Sequence, residues 1–142
     1  MRDLASGLSL AVLLASATYA ADNTPVALDI SGSEGVVIAL EIGVGGITFT
    51  GSNKIEFKLT HSDDGVTYSD VDQDDVRGVT VAAGGIIKSL IAAHAAADVT
   101  KIGYHGGKKY LKLLADFSGT HGSGTPISAL VIKGFSRYSP AA

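Results

Sequence analysis

The sequence predicts an all-β fold: a β-sandwich or jelly-roll-like barrel of about eight short antiparallel strands with one short helix. Three observations carry this. Ile55, Phe57 and Leu59 alternate with Lys54, Glu56, Lys58 and Thr60, the period of a half-buried strand. Glycine is abundant, 18 of 142 residues, against a usual share of roughly 7%, and the glycines fall in turn-forming clusters. A single stretch has helical spacing. No internal repeat or linker divides the chain, so residues 1–142 are expected to form one β-domain.

Residues 8–17 imitate the apolar region of a signal peptide, and Ala17, Thr18, Tyr19 and Ala20 imitate a cleavage site. Asp3 cancels Arg2, and Ser and Gly interrupt the run, so retention is expected over cleavage. The run is shorter than the roughly 20 residues of a membrane helix, and no membrane partner is expected. Three readings stay open: a strand or short helix packed on its own domain, an arm packed on a neighbouring subunit, or a retained signal peptide. The arm reading makes Leu4, Leu8, Leu10, Val12, Leu13 and Leu14 candidates for an assembly interface, as too many large apolar side chains to leave wet. Strands from Pro25 onward are enough for a closed core, so removing residues 1–20 is expected to leave a folded domain.

A short strand is expected over 26–30, ended by the turn cluster 31–35. Residues 36–42 are apolar on both faces except at Glu41, which predicts a central, sandwiched strand. Residues 43–46 read as a loop, 47–50 as a strand and 51–53 as a turn. The alternating strand then runs into Ser62, Asp63, Asp64 and Gly65; Asp accepts turn geometry and Gly accepts positive φ, so a hairpin returns through 66–68. A strand is expected over 79–81. Helical spacing of Ile87, Leu90, Ile91 and His94 among alanines predicts a helix over 86–97. Strands over 99–105, 108–117 and 126–137 follow, with 118–125 as a loop. Lys54, Lys58, Lys108, Lys109 and Lys112 are expected to guard sheet edges.

Composition excludes several classes. The absence of cysteine rules out disulfides and thiolate metal sites. A net charge of −3 argues against a nucleic-acid surface, and aromatic content of 6% without Trp is thin for a stacking platform or a sugar-binding face. Gly43, Gly45 and Gly46 lack a full dinucleotide fingerprint, and the Gly106 to Lys109 turn lacks P-loop spacing. Asp70, Asp72 and Asp74 match the first ligand positions of an EF-hand, but Asp75 replaces its glycine and Val81 its glutamate; a solvated acidic loop, a different cation site and a contact for a basic partner remain open. His61, His94, His105 and His121 have no metal-ligand spacing, and no nucleophile motif accompanies them. No enzymatic activity, cofactor or metal is expected.

Residues 57–68, with Ser62, Asp63, Asp64 and Gly65 after a strand, resemble a signature of small structural proteins encoded among the head genes of tailed bacteriophages. Residues 102–113 are similar to a second signature, a strand ending in Tyr-x-Gly, a Gly-Lys turn and a Tyr-containing strand. Residues 126–140 resemble the closing strand, and Met1, Arg2, Asp3 and Leu4 the opening. The resemblance implies a capsid cement, or decoration, protein: a homotrimer that binds the major capsid protein on the outer surface of the virion. The slight acidity fits an outer rather than a DNA-facing position. A head-fibre base, a tail protein and a secreted β-sandwich binding module are the alternative expectations.

Overall fold

A computed structural model of the chain describes residues 3–136. A 3-10 turn, Ala5–Gly7, leads into strand β1, Leu8–Tyr19; then follow β2 Leu28–Asp29, β3 Ser33–Ile42, β4 Lys54–Ser62, β5 Ser69–Asp70, β6 Val76–Arg77, β7 Ile86–Leu90, β8 Asp98–Tyr104, β9 Tyr110–Ser118 and β10 Thr125–Ser136. The strands form two antiparallel sheets, as the alternating pattern predicts. Sheet A has the order β1-β10-β3-β8-β6; sheet B has β2-β9-β4-β5, with β7 also pairing β4. The end of the closing strand expected at Arg137 lies outside the described residues, as do Met1 and Arg2.

The core lies between the sheets. Ile38, Leu40 and Ile42 of β3, with Ile127, Ala129 and Val131 of β10, face Ile55, Phe57 and Leu59 of β4 and Leu111, Leu113 and Ala115 of β9. Each set follows the two-residue period of its strand. Burying a large apolar side chain contributes roughly 1.5–3 kcal/mol, so these central strands hold most of the fold together.

Three expectations change. No helix forms over 86–97; the segment is β7 followed by irregular chain. Phe57 pairs with Lys88 while Lys58 pairs with Ile86, which leaves Ile87 as the extra residue of a β-bulge. Because the bulge resets the parity, the two buried residues Ile87 and Leu90 stand three apart and mimic helical spacing. Second, 47–50 and 79–81 are irregular, although Phe49 is buried and Ala82 forms a bridge to Ile86. Third, the chain returns from β4 at Ser69, not at 66–68.

The loop between β4 and β5 is organised by Asp64. Its carboxylate accepts the N–H groups of Val66 and Thr67, both at 2.8 Å, and the Ser62 hydroxyl. These donors pull the carboxyl down to about 2. Gly65 has φ +73, as the turn chemistry requires. Gly65→Val is expected to lower stability by about 1–3 kcal/mol, because a β-branched residue is strained there. Urea unfolding measures this, and an unchanged midpoint would contradict the turn geometry.

Candidate assembly surface

The two outer faces of the sandwich differ in chemistry. On sheet B, Lys54, Glu56 and Lys58 of β4 and Lys112 and Asp116 of β9 point outward. Lys54 pairs with Glu56 at 2.7 Å, Lys58 pairs with Asp116, and the Lys112 ammonium sits 4.2 Å from the Tyr68 ring centroid. Three of the lysines expected at edges therefore solvate the face of two central strands; of the other two, Lys108 donates to the Ser69 hydroxyl at 3.2 Å.

The outer face of sheet A is apolar across three adjacent strands. Register fixes two rows. Val12 of β1 lies opposite Leu130 of β10, which lies opposite Ala39 of β3; Leu10 lies opposite Ile132, which lies opposite Val37. Leu10 is 67% exposed, Val12 59% and Leu130 43%; Val37, Ala39 and Ile132 are half-buried by their neighbours. Glu41, Ser128 and Lys101 supply polar atoms at the margin. Among the described residues no element covers these rows. Strand β3 is central, as its sequence predicts, but it is packed on one face only.

The six N-terminal candidates divide. Leu4 is exposed ahead of the 3-10 turn, and Leu10 and Val12 stand on the outer face. Leu8 is half-buried opposite Gly134. Leu13 and Leu14 are 3% and 2% exposed and belong to the domain's own core. The division comes from bulges. Val12 pairs with Leu130 and Leu14 with Ala129, so Leu13 is an extra residue, and a second shift lies between Leu14 and Ala17. Strand β1, Leu8–Tyr19, is thus built into the sandwich, which corrects the expectation that the domain from Pro25 onward is self-sufficient.

Sequence reasoning missed Leu130, Ile132, Val37 and Ala39 as parts of this surface. The available signal was the run at 36–42, apolar on both faces in a chain with too few further elements to form a third layer.

A buried polar cluster joins the two sheets at one end. The backbone N–H of Lys108 donates to the Tyr104 hydroxyl oxygen at 3.2 Å, and that hydroxyl lies 2.9 Å from His61 Nδ1. With that oxygen already accepting from Lys108, the Tyr104 O–H is assigned as the donor to Nδ1 of a neutral imidazole, whose Nε2–H then faces Asp75 at 3.8 Å. Burial pushes Tyr104 up to about 12 and His61 below its usual value, the latter partly offset by Asp75. A cleft of about 410 Å³ opens beside Tyr104, lined also by Ser31, Ser33, His105, Lys108 and Lys109. Ser31, His105 and Lys109 at its rim are exposed, and Ser33 and Lys108 are half-buried.

The acidic loop uses its carboxylates on itself. Asp75 accepts the Asp72 N–H and Asp72 accepts the Asp74 N–H. Among the described residues no group of three or more His, Asp or Glu is placed to hold a cation. His94 is off any helix, with Nε2 3.5 Å from Asp98. His121 packs its ring edge-on against Phe117 while Nε2 meets the Ser118 carbonyl at 2.8 Å.

His61 makes stability pH-dependent. Its folded pKa lies below the unfolded value of 6.5, so the unfolded chain binds more protons as pH falls through that window. The stabilisation is complete above 6.5 and is lost as pH falls through the depressed folded value. The melting temperature is expected to fall more steeply between about pH 7 and pH 5 for the parent than for His61→Gln. Equal slopes would contradict the buried neutral imidazole.

No family profile matches this chain, and no curated protein does. Among solved structures, a chain from work on the disulfide-linked pili of Bacillus endospore appendages aligns at 14% identity and a TM-score of 0.36. The alignment covers 94% of this chain and 96% of that one.

Proposed function

We propose that this protein is a structural component of a tailed-bacteriophage head, a cement protein that lays the outer face of sheet A on the assembled lattice of the major capsid protein. The observation that supports this reading best is the pair of apolar rows Val12–Leu130–Ala39 and Leu10–Ile132–Val37, set against an opposite face that carries the ion pairs Lys54–Glu56 and Lys58–Asp116. Contiguous exposed apolar patches mark interaction sites on soluble domains. The resemblance at 57–68 and 102–113 supplies the identity of the partner. Sheet B, with its paired lysines and carboxylates, then faces solvent on the outer surface of the virion. Because the ligand is the assembled lattice and not the free capsid subunit, binding stabilises the shell by mass action.

Quantitative mass spectrometry of purified virions tests this. Copy numbers comparable with the major capsid protein are expected. A handful of copies would overturn the cement role in favour of a fibre base or tail position, and absence from particles would overturn the virion reading altogether.

A further inference from the structure

The edges of the two sheets are guarded unequally. Strands β2, β5 and β6 have two residues each, and β7 carries a bulge and Lys88. Beyond β2, the edge of β9 is paired by side chains: Asn23 accepts the Ala115 N–H at 2.8 Å and donates to the Leu113 carbonyl at 3.1 Å, and Asp22 accepts the Phe117 N–H at 2.7 Å. Strand β1 is different. It has 12 residues, forms the edge of sheet A and contains no charged residue. Its C-terminal half is interrupted by the two bulges, and Tyr19 donates its hydroxyl to the Ala15 carbonyl at 2.6 Å. Its N-terminal half, residues 8–12, pairs regularly with β10, and among the described residues nothing pairs its other edge.

We infer that residues 8–12 pair with the same segment of a second copy, joining two sheets A about a two-fold axis through Leu10. An open, uncharged, regular edge is a template for strand addition. The fit to a second copy follows from the segment itself. A two-fold antiparallel pairing keeps its hydrogen bonds only if the axis passes through a residue. The regular window is bounded by the 3-10 turn at Ala5–Gly7 and the bulge at Leu13, and Leu10 is its centre. Leu8 then lies opposite the second copy's Val12 and Leu10 opposite its own counterpart, all on the outer face. Ser9 and Ala11, which are small, meet on the inner side. The contact is isologous, as two-fold contacts require, and it makes the apolar rows of both copies continuous. It rests on the open edge alone: it replaces the homotrimer that the resemblance implies, and the docking of the outer face of sheet A does not depend on it.

Sedimentation velocity of the full chain tests it. The parent is expected to sediment as a dimer, and Leu10→Lys to weaken dimerisation by about 100-fold or more, since two leucines at the axis are lost and like charges are opposed. Mixing Leu10→Lys with Leu10→Glu is expected to restore a 1:1 dimer, a rescue that a merely misfolded variant cannot give. In this cysteine-free chain, Leu10→Cys is expected to cross-link into covalent dimers under mild oxidation, and Leu130→Cys on the neighbouring strand is not. A monomeric parent, or a dimer or trimer indifferent to Leu10→Lys, would overturn the inference.

Discussion

Deleting residues 1–20 is expected to abolish the native fold. Strand β1 forms nine residue pairs with β10, and Leu13 and Leu14 sit in the core at 3% and 2% exposure. Truncating one buried leucine to alanine costs about 2–5 kcal/mol, and a domain of this kind has only about 5–15 kcal/mol in total. The deletion removes both leucines and strips β10 of a neighbour. Circular dichroism is expected to show no cooperative melting for the truncated chain, and Leu14→Ala alone is expected to lower stability by about 2–5 kcal/mol in urea unfolding. A truncated chain that melts like the parent would return β1 to the status of a detachable arm.

The second large effect is on binding. Leu130→Asp places a carboxylate at the centre of the apolar rows, opposite Val12 and Ala39. Leu130 is 43% exposed and makes no core contact of the kind Val131 makes, so the variant is expected to fold with a melting temperature close to the parent's. Losing one apolar anchor of roughly 1.5–3 kcal/mol weakens docking by about 10–100-fold, and desolvating the new charge adds to this. Binding of the purified variant to empty capsid shells, measured by co-sedimentation, checks the loss. The charge-neutralising control Lys58→Gln on sheet B is expected to bind as the parent does.

The fold class was legible because β4 alternates without interruption, Ile55, Phe57 and Leu59 in, Lys54, Glu56 and Lys58 out, and β9 departs from that pattern only mildly, at the outward Leu114. Two bulges hid the rest. At Ile87 the extra residue converts a two-residue period into the three-residue step that helices also show. At Leu13 it turns both Leu13 and Leu14 inward after Leu8, Leu10 and Val12 have pointed outward, so the segment reads as apolar on every side and imitates a secretory leader. Leu10 and Val12 were legible as surface candidates. Their partners Leu130, Ile132 and Val37 were not, because a strand apolar on both faces reads as sandwiched, and only the number of layers reveals which face is bare. The His61, Tyr104 and Asp75 cluster is assembled from three separate strands and loops 43 and 14 residues from His61, with no local spacing to announce it.

The central claim is that the outer face of sheet A is the docking surface, and side-chain oxidation footprinting of capsid-bound protein tests it most directly. Leu10, Val12, Leu130 and Ile132 are expected to be protected on binding, while Tyr68 and Leu114 on the sheet B side stay as reactive as in the free protein. Protection of Tyr68 and Leu114 with Leu10, Val12, Leu130 and Ile132 still reactive would contradict it.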